Sequence, residues 1–280
     1  MPELPEVQAH AERLDERYAN ATLQRFTPLA FTALKTAVPP PSDAVGHALV
    51  FVGRRGKYLL LDFGTLTFVV HLMQGGRLKE EPAGKQPAKP RGGQARWVFD
   101  DGRSLLLTEA GTERRAGVWA VAGDPETHPP LDRLGPDSDT LDPPALLELV
   151  HAHPMRLHGF LRDQRAIAGV GRRLANEICH RAKLSPFAST GKMAALDAEA
   201  LVEAIQTSIN AGLAYERGRD DMSSSADRPG NVHHRVGEAC PVCGDTIRSV
   251  AYAKYTVAYC PTCQTGGKVL ADNTTSKFLK

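Results

Sequence analysis

Along residues 5–18, PEVQAHAERLDERY, apolar side chains recur at Val7, Ala11, Leu14 and Tyr18. That three-to-four spacing predicts one apolar stripe on a helix. Pro5 suits the first turn, where its missing N–H costs nothing. The pattern then shortens. LVFVG (49–53), KYLLLDF (57–63), LTFVVHLM (66–73), RWVF (96–99), RSLLLT (103–108) and GVWAV (117–121) are brief apolar or alternating runs between Gly-rich turns, as expected of a sandwich or barrel. The Lys-, Pro- and Gly-rich stretch 79–95 reads as an exposed loop, and 123–143 as a linker. Helical spacing returns over 144–151, 155–163, 172–183 and 194–213. A polar, Ser-rich stretch (216–231) leads into a cysteine-rich end, and no internal repeat is present. The order predicts a multidomain α+β chain. An N-terminal β-sandwich with flanking helices would occupy 1–130, a helical domain 140–235 and a small terminal module 236–280.

Composition changes this picture little, with 42% hydrophobic and 24% charged residues in 280. No apolar run approaches a membrane span and no signal pattern opens the chain, so a cytoplasmic protein without a membrane partner is expected. The net charge of +2 is unevenly placed: residues 1–150 carry 17 Lys and Arg against 20 Asp and Glu, and residues 151–280 carry 17 against 12. The basic second half is weak evidence for a polyanionic partner; a solvated surface explains it equally well.

Of five cysteines, Cys179 stands alone and the other four form CPVC (240–243) and CPTC (260–263), separated by 16 residues. Two such knuckles can supply four thiolates, from Cys240, Cys243, Cys260 and Cys263, to one tetrahedral zinc ion. A closed four-Cys site is structural. The sequence between the knuckles alternates like a hairpin with its tip near Ala253 and Lys254. Lys254 could meet a phosphate there or be an ordinary solvated turn lysine.

FLRDQRAIAGVGRRLANEICHRAKLSP (160–186) joins two helices through a short Gly-containing turn. Gly169 and Gly171 permit a tight path whose N–H groups, at the start of the following helix, could form a phosphate-binding nest. Arg165, Arg172 and Arg173 add positive charge; an ordinary helical hairpin is the alternative.

The chain opens MPELPEV. Aminopeptidase removal of Met1 would leave Pro2 with a secondary amine, and a terminal amine titrates near 8 rather than the 10.4 of lysine. A helix beginning at Pro5 would lower it further. Such an amine can attack a sugar C1′ and form an iminium, with neighbouring Glu3 shuttling protons if burial raises its pKa. The alternative is that Pro2 merely leads into a helix whose first turn favours carboxylates.

Taken together, PELPEV, GKYLL (56–60), HLMQGGRL (71–78), DQRAIAGVGRRLANE (163–177) and CPVC…CPTCQ resemble the formamidopyrimidine-DNA glycosylase and endonuclease VIII family of bacterial base-excision repair. The resemblance covers nearly the whole chain. It implies a helix–two-turn–helix DNA-binding domain, one structural zinc and a bifunctional glycosylase and abasic-site lyase, acting as a monomer on damaged double-stranded DNA at the bacterial nucleoid. Pro2 would be the nucleophile, Glu3 the acid/base group, Glu6 a second carboxylate of the motif, and Lys57 the hairpin lysine that contacts phosphates beside the lesion.

Several positions depart from the family pattern. Gln74, preceded by Met73, stands at the methionine that fills the void left by the flipped base. TERRAG (112–117) stands where guanine-lesion enzymes show Asp-Pro-Arg-Arg-Phe-Gly, so Arg115 is kept and Ala116 replaces the phenylalanine. The void is then expected to be filled by Met73, Gln74 and Arg115. Arg172 replaces the phosphate-binding turn asparagine, and Tyr255 the hairpin arginine, with Lys254 the nearest substitute. These departures tilt the expectation toward oxidised pyrimidines and abasic sites. They also leave open a non-catalytic binder of damaged or branched DNA on the same scaffold. A zinc-ribbon RNA-binding protein is disfavoured, because it gives PELPEV no role.

Overall fold

The structure, a computed structural model, describes residues 1–84, 87–88, 90–111, 113–222, 227–252 and 255–270. It divides into two compact units, residues 1–134 with 216–223 and residues 135–215 with 224–280.

The first unit is a β-sandwich carrying one helix. Helix α1 (Leu4–Tyr18) buries Val7, Ala11, Leu14 and Tyr18, the stripe read from the sequence. One sheet has the order β2-β3-β4-β8, from Phe51–Arg55, Tyr58–Asp62, Thr67–His71 and Gly117–Val121. The other has the order β1-β6-β7-β5, from Leu23–Pro28, Gly93–Phe99, Ser104–Glu109 and Gly76–Glu81. The strand pairings of both sheets are antiparallel. Alternate residues of each sheet enter a shared core. Leu59, Leu61, Phe68, Val70 and Val118 come from one sheet and Leu78, Trp97, Phe99, Leu105 and Leu107 from the other. Phe68 meets Trp97 edge-on at 5.6 Å and Phe26 in a stack at 4.8 Å. The opposite face of the first sheet is also covered: Val69 and Val121 pack with Leu131. Burial on both faces explains why β3 and β4 read as nearly continuous apolar runs.

Two strands escaped the sequence pattern, and they are the two edges of one sheet. In β1 only Leu23 and Phe26 are strongly apolar and a register shift falls between Leu23 and Arg25. In β5 charge dominates the strand GRLKEE, and only Leu78 enters the core. Edge strands that carry charge and irregular pairing discourage association with other chains, at the cost of a legible alternation. The run 66–73 holds a single strand, β4, with Leu72 and Met73 leading into the turn before β5, and the expected loop 79–95 contains the end of β5 and the start of β6.

The second unit contains helices α2 (Pro143–Ala152), α3 (Leu157–Arg162), α4 (Arg172–Arg181) and most of α5 (Ala195–Arg217). The hairpin β9 (Arg248–Tyr252) and β10 (Tyr255–Tyr259) and the short α6 (Pro261–Thr265) complete it. Asp142 caps α2 by accepting from the Ala145 N–H at 2.8 Å. Among the described residues no helix is long and apolar enough to cross a membrane.

Candidate active site and nucleic-acid interface

The first turn of α1 is organised by its own carboxylates. Glu3 is the N-cap, its side chain accepting from the Glu6 N–H, while the Glu3 N–H donates to Glu6 Oε2 at 2.8 Å. This reciprocal capping box satisfies donors that a helix start otherwise leaves bare. Glu3 and Glu6 are both buried. Glu6 therefore acts on the backbone of Glu3, and Pro2, itself buried, precedes this locked turn.

Helix α1 is docked on β2 by two bonds in opposite chain directions. The Val52 N–H donates to Asp15 Oδ1 at 2.7 Å and Arg54 Nε to Gln8 Oε1 at 2.9 Å. Continuing toward Glu3 moves about 7 Å up the helix, at ~1.5 Å per residue. Two or three residues beyond Arg54 advance a strand by a similar length. The N-terminus of α1 is thereby directed at the β2–β3 turn, which is Gly56-Lys57. Gly56 has φ 56°, the first position of a two-residue hairpin turn that a side chain would strain. Lys57 follows and is only 7% exposed.

Lys57 also acts on His71, at the end of β4. Burial, reinforced by the Lys57 charge, lowers His71 to about 4. The neutral ring accepts the Met73 N–H on Nδ1 at 3.2 Å, and Met73 sits at φ 52°. Met73 is half-buried and Gln74 exposed at the tip of this turn. The turn closes tightly. A Cβ at Gly75 would lie 2.6 Å from the Ala110 carbonyl oxygen, and one at Gly76 would lie 2.1 Å from that of Leu72. The sequence thus carries glycines here for close backbone approach.

Between β7 and β8, Glu109 was not singled out from the sequence. Its Oε2 accepts the Ala116 N–H at 2.7 Å, closing the connection and fully burying Ala116. Arg115 projects outward, its side chain 65% exposed and 3.2 Å from Glu113. The structure thus presents Arg115, Met73 and Gln74 on loops of this unit and withdraws Ala116.

In the second unit Gly171 caps α4. Gly169 takes φ 101°, but its N–H donates to Gln164 Oε1 at 3.0 Å. This corrects the nest reading: Gly169 provides the turn, and its donor is already engaged. Arg172, the first residue of α4, makes no hydrogen bond or ion pair among the described residues. Arg173 instead turns inward to the carbonyls of Arg228 and Pro229. Glu177 accepts the N–H groups of Asn231, Val232 and His233 at 2.8, 3.0 and 2.9 Å. Helix α4 therefore holds segment 228–233 in place, a role the pattern LANE did not disclose.

Lys254 lies outside the described residues. Tyr255 has a defined setting: it stacks on Tyr252 at 4.7 Å, and the Arg162 guanidinium lies over its ring at 4.2 Å. Arg162, unremarked in the sequence, supplies from α3 a cation at the hairpin, where Tyr255 itself has none. Nearby, burial and Arg162 lower His158 to about 3, and burial with surrounding cations does the same for His233. Both rings stay neutral, and the positive charge of this face resides in its arginines.

The four knuckle cysteines converge. Cys240 Sγ is 3.9 Å from Cys263 Sγ and Cys243 Sγ is 3.3 Å from Cys260 Sγ. Zinc–sulfur bonds of about 2.3 Å in a tetrahedron place sulfurs roughly 3.8 Å apart, a spacing that the Cys240–Cys263 pair matches and the Cys243–Cys260 pair approaches. Backbone and side chain support it. Cys260 N–H donates to Gln264 Oε1 at 2.8 Å, Gln264 Nε2 to the Leu184 carbonyl at 3.0 Å, and Thr262 Oγ1 to Asp245 Oδ2 at 2.8 Å. The site holds one structural zinc ion.

Comparison with known proteins agrees with this geometry. Residues 1–119 match the formamidopyrimidine-DNA glycosylase N-terminal domain family, and residues 237–266 the zinc finger found in that glycosylase and in IleRS. The formamidopyrimidine-DNA glycosylase of Methylococcus capsulatus is 32% identical over 282 residues, covering 94% of this chain and 100% of that protein. An uncharacterised formamidopyrimidine-DNA glycosylase-like protein of Mycobacterium tuberculosis is 40% identical, over 57% of this chain and all of its own length. The crystal structure of the MutM (Fpg) protein of Thermus thermophilus superposes with a TM-score of 0.81 at 28% identity, over 96% of this chain and 100% of that one. The Lactococcus lactis enzyme bound to DNA containing an abasic site shares the fold, with a TM-score of 0.79 at 20% identity and 94% and 99% coverage.

Sandwich, helical region, zinc hairpin and capped N-terminal carboxylates together define a DNA glycosylase. The chain belongs to the formamidopyrimidine-DNA glycosylase family.

Proposed function

We propose that the protein is a bifunctional base-excision-repair enzyme, excising oxidised bases from double-stranded DNA and cleaving the resulting abasic site. The observation that carries this reading is the locked start of α1. Pro2 precedes the capping box of Glu3 and Glu6, on a helix docked toward the Lys57 turn. With Met1 removed, the Pro2 nitrogen lone pair attacks C1′ of an extruded nucleotide, the C1′–base bond breaks and its electrons leave with the base. Loss of the amine proton lets the nitrogen lone pair form the C1′=N bond as the C1′–O4′ bond breaks and O4′ takes up a proton, giving the ring-opened iminium. Glu3 receives and returns protons during ring opening. The iminium acidifies C2′, so successive β- and δ-eliminations release the 3′ and 5′ phosphates. Lys57 pairs with a phosphate beside the lesion. The zinc ion supplies shape and takes no chemical step.

In the second unit, Arg172 and Arg162 supply sequence-independent contacts to the backbone. Met73, Gln74 and Arg115 take up the space vacated by the flipped nucleotide. Because Ala116 offers no aromatic wedge, oxidised pyrimidines and abasic sites are the preferred substrates in this reading. The names of the relatives favour a second reading, formamidopyrimidine purines. Single-turnover excision over a panel of lesion duplexes decides between them. Faster release of oxidised pyrimidines supports the first reading, and faster release of formamidopyrimidines the second. A protein that binds every duplex and cleaves none is a binder on the same scaffold.

A further inference from the structure

The zinc cysteines have a fifth neighbour. His180, next to last in α4, is 2% exposed, and its Nε2 lies 3.3 Å from Cys240 Sγ. Its donor atom and the sulfurs of Cys240, Cys260 and Cys263 all fall within 4.8 Å of one another. We propose that His180 is a positioning residue for the metal, donating an Nε2–H···Sγ hydrogen bond to the Cys240 thiolate and tying the zinc module to the helix that carries Arg172. The proposal rests on the four-Cys zinc reading.

The chemistry selects one tautomer. A neutral imidazole has one N–H. Placed on Nε2, that proton meets sulfur carrying negative charge, and Nδ1 is left as a buried acceptor without a partner. Placed on Nδ1, it would be a buried donor with nothing to bind, while the Nε2 lone pair faced the thiolate. The first arrangement satisfies the stronger group. Four cysteines already complete a tetrahedron, so His180 acts through Cys240 and not on the metal. Such outer partners orient a ligand and hold its charge, and their loss typically weakens metal binding 10–100-fold. At about 1.5 Å per residue, the ten-residue α4 sets His180 within some 15 Å of Arg172. The hydrogen bond thus makes a DNA-facing helix one wall of the metal site.

The test uses the full chain. Zinc content of the wild type is measured first, and a zinc-free protein would remove the underlying site reading, not the proposal alone. Zinc affinity by chelator competition and the thiolate-to-metal charge-transfer band of the cobalt(II) protein are then compared for His180→Phe, His180→Met and His180→Gln. Gln can place an amide N–H where Nε2 stands, and the apolar variants cannot. The expected result is a 10–100-fold loss of affinity and a band moved to lower energy in Phe and Met, with Gln within about threefold of wild type. Wild-type behaviour of the apolar variants overturns the proposal, and so does a Gln variant as weak as they are, since that marks packing alone. Nitrogen-15 spectra of the wild type provide a readout that needs no variant: a protonated Nε2 supports the assignment, and a neutral Nδ1–H tautomer overturns it. Retention of a tightly held ion by Cys243→Ser, lost when His180→Phe is added, would show direct ligation by His180 and also overturn it.

Discussion

The Glu3 N–H and the Glu6 carboxylate are 2.8 Å apart, and with the return bond from the Glu6 N–H to the Glu3 side chain they make the start of α1 one rigid object. Glu6→Ala should cost about 1 kcal/mol of stability, the usual worth of a lost cap. It should also slow base excision and abasic-site cleavage together, because Pro2 and Glu3 lose their placement jointly. Glu3→Gln should separate the two, suppressing excision more than cleavage. Parallel assays on a lesion duplex and a preformed abasic duplex measure both, and equal losses in Glu3→Gln would remove its proton-transfer role.

What the sequence disclosed follows from what each position must satisfy. Apolar spacing revealed α1 because one stripe is buried, and the cysteine knuckles were plain because metal geometry fixes their intervals. The edge strands β1 and β5 were hidden, since a strand paired on one side needs few apolar residues. Pro2, Glu3 and Lys57 were singled out through their motifs, and the structure shows all three buried. Glu109, Glu177 and Arg162 were not, because each acts on a backbone amide or ring distant in sequence, and nothing in its neighbours marks that. Gly169 was identified for the right conformation and the wrong donor.

Arg162 and Tyr255 form a unit that should bind phosphate. Arg162→Ala is expected to weaken duplex binding by a similar factor for lesion and intact DNA and to reduce the slope of log affinity against log salt by about 1. Tyr255→Phe should leave both unchanged, whereas Tyr255→Ala should reproduce much of the arginine loss. A salt titration of fluorescent duplex binding reads these effects. An unchanged slope in Arg162→Ala would show that its charge meets no phosphate.

His71 holds Met73 at positive φ only while its Nδ1 is an acceptor. His71→Leu should release the turn and reduce lesion excision several-fold with less effect on cleavage of preformed abasic sites, where no base must be displaced. Single-turnover rates on the two substrates provide the comparison.

Burial, with Arg13 beside it, lowers His10 from 6.5 to about 4, and its Nε2 contacts the Leu78 carbonyl at 2.8 Å. The unfolded chain takes up this proton first as pH falls. Stability from His10 is therefore complete above pH 6.5 and declines as pH drops toward 4, by roughly 2 kcal/mol between pH 7 and 5. His10→Gln, which keeps a donor and cannot titrate, should lose correspondingly less over that interval. Urea unfolding at the two pH values tests the difference.

The most direct measurement is borohydride reduction of the protein on an abasic-site duplex, followed by peptide mass spectrometry. The account predicts a covalent adduct on a peptide that begins at Pro2, strongly diminished in Pro2→Gly. A chain lacking Met1 that shifts the duplex yet yields no adduct, or an adduct carried by a lysine in place of Pro2, would contradict it.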